Sequence, residues 1–139
     1  MEQAERSEMA AMMLRVSLGV MFLAHAYLKF FVFTLAGTVG FFESVGFPGF
    51  LGYVVPIMEG VGGAALILGV QVRLVSLSLI PILLGAAYVH WGNGWVFSAK
   101  GGGWEYPAFL AAATGIQALL GNGAFALKIP GVSNATQQA

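Results

Sequence analysis

The sequence predicts an all-α protein of one domain that crosses a lipid bilayer as an antiparallel bundle of four transmembrane helices. Hydrophobic residues make up 58% of the 139 residues and charged residues only 9%, whereas soluble proteins average roughly 25% charged residues. Residues 74–99 and 106–127 form uncharged runs of 26 and 22 residues, and about 20 apolar residues are enough to cross the hydrocarbon core. So few charges cannot coat a soluble surface, which makes this a polytopic membrane protein.

The polypeptide is predicted to cross the membrane four times with short connections. Residues 1–8 are expected to form a polar cytoplasmic segment, residues 9–123 the membrane domain, and residues 124–139 a polar cytoplasmic tail. Glycines interrupt residues 34–50, which favours an interfacial segment or a re-entrant loop over a span. The predicted spans cover about residues 9–33, 52–70, 74–91 and 104–120.

The first two spans carry ionisable residues inside apolar sequence. In the first, His25 and Lys29 share one helical stripe with Arg15, because these positions are separated by steps of three and four. In the second, Glu59 lies near the middle of the span, where a carboxylate must face protein, water or a ligand. The glycines at 60, 62 and 63 strip side chains from the helix beside Glu59 and let a neighbouring backbone come close.

The distribution of basic residues predicts that both termini are cytoplasmic. One side of the membrane collects Arg6, Arg15, Arg73 and Lys128. The other side has Lys100, in a glycine-rich loop, and the tryptophans at 91, 95 and 104, which are typical of an interfacial aromatic belt. Arg15 and Arg73 are interpreted as structural charges that snorkel towards the inner face.

Titratable side chains from all four spans are predicted to meet in the outer half of the bundle, around a ligand-binding or proton-relay site. Its candidate residues are His25, Lys29, Glu59, Tyr88, His90, Glu105 and Tyr106. Several interpretations stay open. Lys29 and Glu59 form either a structural ion pair or a proton-handling pair. His25 makes an interhelical hydrogen bond, or it binds a quinone oxygen or a metal.

Other patterns limit cofactors and partners. The Glu-x-x-His pairs of di-iron bundles do not occur, and no metal ligand is assigned. The absence of cysteine excludes thiolate metal sites and thiol-dependent quinone reduction by this chain. Zero net charge with scattered basic residues argues against nucleic acid as a partner. The small-residue pairs Gly60-x-x-x-Ala64 and Ala111-x-x-x-Gly115 are packing seams that also leave self-association open.

Four motifs in order resemble the DoxX family of small four-helix membrane proteins, over about residues 10–128. They are Arg15-x-x-Leu18-Gly19-x-x-Phe22-x-x-His25-x-x-x-Lys29, Glu59 with Gly62-Gly63 and Arg73, His90 with Gly101-Gly102-Gly103-Trp104-Glu105-Tyr106, and Leu120-Gly121-Asn122-Gly123. The resemblance implies a redox-associated protein of a bacterial or archaeal cytoplasmic (inner) membrane. Relatives include a subunit of a thiosulfate:quinone oxidoreductase and members of a complex with superoxide dismutase and a sulfurtransferase.

Three functions are consistent with these observations. The first is a redox accessory subunit that binds a quinone or another small molecule in the outer half and works with a soluble redox protein. The second is a non-catalytic anchor or assembly protein whose buried charges specify helix pairing. The third is a small solute or ion pathway, which the proline-broken helix beside Glu59 would suit. No cofactor is assigned beyond the candidate quinone, and enzymatic activity stays open.

Overall fold

The computed structural model describes residues 1–131, and the end of the predicted tail, residues 132–139, lies outside the described residues. The described chain is all-α and folds into five helices without a β-strand: α1 (Gln3–Tyr27), α2 (Leu35–Ser44), α3 (Leu51–Leu68), α4 (Val72–His90) and α5 (Glu105–Leu120). A π-helical turn, Leu28–Val32, extends α1, and a 3-10 turn, Trp91–Asn93, extends α4.

Three of these helical segments are long and apolar enough to cross a membrane. Within the described residues they are Gln3–Val32, Leu51–Leu68 and Val72–Asn93. The fourth predicted span coincides with α5, whose 16 residues correspond to about 24 Å of helix. The helix α5 is therefore shorter than the other three and falls below the length at which a helix crosses the hydrocarbon core unaided.

Two segments are more helical than their composition indicates. The first helix begins at Gln3, within the predicted polar segment, and the N–H of Glu2 donates to Glu5 Oε2 at 2.9 Å, which fixes its first turn. Inside the glycine-interrupted stretch, the ten-residue α2 begins after Thr34, whose hydroxyl oxygen accepts the N–H of Gly37 at 3.2 Å. Local capping decides both starts, and average hydropathy does not reveal it.

The helices α1 and α3 pack against each other in opposite directions through glycines. Lys29 meets Glu59 near one end, while Arg15 meets Leu66 near the other. Between them, a β-carbon placed on Gly63 would lie only 2.8 Å from the carbonyl oxygen of Gly19. The glycine run beside Glu59 therefore admits a neighbouring backbone, as the sequence predicts.

Replacing Gly63 with alanine should destabilise the protein, because the added methyl group would press on the backbone of α1. We expect a loss of roughly 1–3 kcal/mol in the free energy of unfolding, typical of overpacking. Gly85 in α4 is the matched control, since a β-carbon there would meet nothing within 4 Å. Gly85→Ala should be neutral or slightly stabilising. Thermal unfolding in detergent measures both, and equal effects would contradict this account of the crossing.

The helices α4 and α5 also run in opposite directions, and together with α1 and α3 they define two ends of the protein. Trp91 stacks on Trp104 at the end that carries residues 92–103, called here the loop end. At the other end a β-carbon on Gly121 would lie 3.6 Å from Arg73 Nε. This is called the tail end, because residues 121–127 cross it. There the N–H of Ala124 donates to the Glu8 carbonyl at 3.0 Å.

A layer of large apolar side chains fills the centre between the two ends. All four long helices contribute to it, and its members expose 0–6% of their surface. This apolar layer comprises Leu18, Phe22, Leu66, Leu79, Leu83 and Leu110.

Candidate functional site

An ion pair joins the π-helical turn to the middle of α3. Lys29 Nζ lies 2.9 Å from Glu59 Oε2 and 3.1 Å from Oε1, and only 19% and 6% of the two side chains are exposed. The carboxylate is thus paired inside apolar sequence, as its position requires. The hydroxyl of Thr38 in α2 donates to the Lys29 carbonyl at 3.3 Å and to the Thr34 carbonyl at 2.8 Å, which anchors α2 beside the pair.

A second pair lies one helical turn along α1. His25 Nε2 is 3.4 Å from the hydroxyl of Tyr106, the second residue of α5, and the two rings are stacked with centroids 5.8 Å apart. Both side chains are half-buried. Because His25 and Lys29 are separated by four residues, the two pairs adjoin on one face of α1. A cation and a carboxylate thus stand next to two groups that both donate and accept hydrogen bonds.

An open groove of about 490 Å³ begins at Tyr106. Aromatic side chains make most of its walls, and Glu105 and Tyr106 are its titratable residues. The lining consists of Trp95, Phe97, Trp104, Glu105, Tyr106, Ala108 and Phe109. Tyr106 is therefore shared between the groove and the His25 pair.

The loop that forms one wall of this groove is held to the start of α5. Trp104 stacks on Trp91 with ring centroids 4.5 Å apart and meets Trp95 edge-on at 4.5 Å. Glu105 Oε1 accepts the N–H of Phe97 at 3.2 Å, and the N–H of Glu105 donates to the Trp95 carbonyl at 3.1 Å. Glu105 therefore shapes the groove by fixing residues 95–97.

The other two predicted site residues, His90 and Tyr88, also lie at the loop end, but they contact groups outside the two pairs. His90 Nδ1 lies 2.8 Å from the Ala86 carbonyl, so this nitrogen carries the proton that it donates. A β-carbon on Gly102 would lie 3.3 Å from His90 Cδ2, which puts the ring against the loop. Tyr88 is 73% exposed and meets Phe47 edge-on. Within residues 1–131, no three His, Cys, Asp or Glu side chains come together as a metal site.

The sequence analysis interprets Arg15 as a charge that snorkels towards the inner face. In the structure it is instead buried inside the tail end. Its side chain is 1% exposed. Its Nη1 donates to the carbonyls of Leu66 at 3.0 Å and Ile67 at 2.5 Å, at the end of α3. Its Nε and Nη2 donate to the carbonyls of Asn122 and Ala124, both at 2.7 Å. The last carbonyls of a helix lack intrahelical donors and carry partial negative charge, which accounts for a buried cation here.

Comparison with known proteins identifies the family. The model of the DoxX family matches residues 10–91, more than half of the chain. The chain belongs to the DoxX family. A relative named "Putative oxidoreductase CatD", from Bacillus subtilis (strain 168), is 35% identical over 79 residues, which cover 57% of this chain and 58% of the relative. The chain thus spans less than two thirds of the length of that relative. No solved structure matches this chain.

The DoxX match covers part of the candidate site. Its range includes most of α1 and all of α3 and α4, and therefore the Lys29–Glu59 pair and His25. Tyr106 and Glu105, in α5, lie outside the matched residues. The groove and its link to His25 are thus features of this structure that the family match does not itself supply.

Proposed function

We propose that this DoxX-family protein is a multi-pass protein of a prokaryotic cytoplasmic membrane, with α1, α3, α4 and α5 crossing as an antiparallel bundle. The length of α5 alone is short for a span, but α5 runs beside α4 between the Trp91–Trp104 contact and the Arg73–Gly121 contact. The hydrogen bond between Ala124 and Glu8 supports an even number of crossings, because it joins the two ends of the described chain.

The orientation we propose has both termini in the cytoplasm and the loop end outside. It is supported by the basic residues of the tail end, since short cytoplasmic segments are enriched in lysine and arginine. These residues are Arg6, Arg15, Arg73 and Lys128. The tryptophan cluster at the loop end suits the outer membrane–water interface, where amphipathic rings accumulate.

We further propose that the protein is a redox-associated accessory subunit that binds a quinone, or a similar flat and apolar small molecule, in the groove. One observation carries this proposal: Tyr106 lines an aromatic groove, and its hydroxyl is hydrogen-bonded to His25. Aromatic walls suit a ring with an apolar tail, and a few placed polar groups then orient the ligand. The oxidoreductase name of the B. subtilis relative is in keeping with a redox role.

In this proposal His25 Nε2 donates to the Tyr106 oxygen, which leaves the Tyr106 hydroxyl free to donate to a carbonyl oxygen of the ligand. Lys29 and Glu59 stand one turn behind His25 and hold its surroundings in a fixed electrostatic arrangement. Reduction of a quinone takes up two electrons and two protons. The chain has no cysteine, and we assign the electrons to a soluble redox partner and the hydrogen bonding to this chain.

Tryptophan fluorescence tests the proposal directly, because all three tryptophans of the chain belong to the groove or stack on its wall. Titration of the purified protein with a short-tailed quinone should quench this fluorescence in a saturable way. Tyr106→Phe removes one hydrogen bond to the ligand and should weaken binding about fivefold, since a hydrogen bond contributes roughly 1 kcal/mol. Tyr53→Phe, an exposed tyrosine outside the groove lining, is the matched control.

Two results would remove the quinone proposal. One is quenching that rises linearly with quinone concentration without saturation, as collision alone produces. The other is an equal affinity in the Tyr106→Phe variant, the Tyr53→Phe control and the unaltered protein.

A second candidate function is that of a non-catalytic anchor or assembly protein, and it is favoured by the closure of the Lys29–Glu59 pair. A carboxylate that is 6% exposed and fully occupied by one lysine is suited to fixing the α1–α3 contact. In that case no small molecule saturates the groove, while the ion pair still controls folding. The quinone titration therefore separates the two candidates. Self-association through the small-residue pairs Gly60-x-x-x-Ala64 and Ala111-x-x-x-Gly115 stays a prediction.

A further inference from the structure

On α1, α3 and α5, polar, then apolar, then polar groups follow one another in the same order from the loop end to the tail end. At the loop end are the ion pair, His25 and Tyr106. In the centre is the apolar layer defined above. At the tail end a second polar layer follows, with side chains that are 0–1% exposed: Arg15, Ser76, Thr114 and Gln117. On α3 the tail-end polar groups are its terminal carbonyls. The helix α4 contributes Leu79 and Leu83 to the apolar layer and Ser76 to the tail-end polar layer.

The apolar layer is closed across the bundle. Leu66 and Leu79 are 0% exposed and Phe22 is 1% exposed. A β-carbon on Gly62 would lie 3.0 Å from Leu79 Cδ1, so α3 and α4 leave no gap there. A water molecule inside a protein needs two to four polar partners, and this layer offers none from its side chains. Protons therefore have no chain of hydrogen bonds through it.

The tail-end polar layer is separated from Glu59 by the apolar layer, and two of its buried atoms, Ser76 Oγ and Gln117 Oε1, have no hydrogen-bond partner among the described residues. Arg15 directs four N–H groups at backbone carbonyls, and a guanidinium does not release a proton in proteins. The Thr114 hydroxyl donates to the Leu110 carbonyl at 2.7 Å, and Gln117 Nε2 donates to the Gly121 carbonyl at 2.8 Å. These hydrogen bonds close helix backbone groups at the tail end and do not reach Glu59.

On the loop side, by contrast, polar groups connect the two pairs with the surface of the protein. The groove is open and reaches Tyr106, Tyr106 meets His25, and Lys29 retains 19% exposure. A proton can pass from water through hydroxyl and imidazole groups, which both donate and accept.

We infer that the His25–Tyr106 and Lys29–Glu59 pairs exchange protons with water on one side of the membrane only, the side of residues 92–103, and that the bundle is closed to protons and solutes across the apolar layer. This rests on the proposed function only in naming a quinone as the molecule that takes up these protons; the access itself exists without ligand. The two protons of each quinone reduced then come from the loop side. The same closure opposes a solute or ion pathway.

Cysteine accessibility tests this inference, because the chain has no cysteine of its own and every variant carries a single thiol. Lys100→Cys and Lys128→Cys, both exposed and at opposite ends, report which side of a sealed vesicle is which. A membrane-impermeant methanethiosulfonate reagent should modify His25→Cys and Tyr106→Cys from the Lys100→Cys side. Leu66→Cys should react from neither side until the protein is denatured. Modification of Tyr106→Cys from the Lys128→Cys side, or of Leu66→Cys in the native protein, overturns the inference.

A cysteine inside the bundle can prevent folding, so a second measurement uses the unaltered protein. Vesicles that contain the protein and a trapped pH-sensitive dye are given a potassium diffusion potential with valinomycin. Proton entry should be no faster than in protein-free vesicles. Faster entry that disappears in Glu59→Gln would overturn the inference. If instead the thiols show one-sided access while no quinone binds, the quinone proposal fails and the one-sided access stands.

Discussion

Replacement of Arg15 by leucine is expected to remove most of the stability of this protein. Four backbone carbonyls, two at the end of α3 and two in the segment after α5, would lose their donors at once. Hydrogen bonds from charged groups each contribute roughly 1.5–3 kcal/mol, and a buried acceptor left unpaired costs about 1–3 kcal/mol. With partial relaxation we expect a loss of at least about 3–5 kcal/mol, which is a large share of the 5–15 kcal/mol typical of a domain.

Chemical unfolding in mixed micelles, followed by tryptophan fluorescence, measures this loss. The stability of Arg15→Lys should fall between that of Arg15→Leu and that of the unaltered protein, because one ammonium group cannot reach all the acceptors that a planar guanidinium spans. Arg6→Leu is the matched control: it removes an exposed cation from the same helix and should change stability by no more than about 0.5 kcal/mol. If Arg15→Leu and Arg6→Leu unfold at the same denaturant concentration, the four hydrogen bonds do not hold the tail end together.

Removing one partner of the Lys29–Glu59 pair should destabilise the protein nearly as much as Arg15→Leu does, whereas removing both charges should restore much of the lost stability. Lys29→Met leaves the carboxylate, whose side chain is 6% exposed, without its cation. Loss of one partner of a buried pair costs roughly 3–5 kcal/mol, because the remaining charge is buried and uncompensated. In Lys29→Met/Glu59→Gln no charge remains, and we expect most of the stability to return.

Lys29→Met, Glu59→Gln and the double variant form, with the unaltered protein, a thermodynamic cycle that isolates the interaction between the two side chains. Lys100→Met, a change at an exposed lysine of the loop, controls for loss of a cation as such. Strictly additive effects of the two single changes would show that the pair contributes no coupling and would contradict its role at the α1–α3 contact. The refolded double variant also serves the functional question: unchanged quinone affinity in it would restrict the ligand-binding role to the groove, Tyr106 and His25.

The arrangement around Glu59 was largely predictable, because a carboxylate in apolar sequence requires a partner and few cations are available. Lys29 lies in the π-helical turn that extends α1, the helix that Gly63 brings close. Helix positions followed from hydropathy in the same way: the spans predicted at 52–70 and 74–91 correspond to Leu51–Leu68 and Val72–His90. Strong apolar patterns fix such elements with little help from tertiary contacts.

The tail end and the groove were not predictable from the sequence. The carbonyls that accept from Arg15 are backbone groups, and every residue type carries one, so no side-chain pattern reveals them. The groove depends on how residues 95–97 fold back onto Glu105, which one hydrogen bond to the Glu105 carboxylate and one between backbone groups decide. Tyr106 was a candidate by depth alone, and its contact with His25 requires the register of α5 against α1.

The contacts of Arg15 also bear on how the protein is made. A nascent membrane protein delivers its helices in order, and α1 and α3 are both synthesised well before residues 122 and 124. Until those residues leave the ribosome, the guanidinium has only the carbonyls of Leu66 and Ile67 to bind. Chains that stop short of Asn122 should therefore remain loosely assembled and exposed to membrane proteases, and synthesis of residues 122–124 would be the step that locks the helices together.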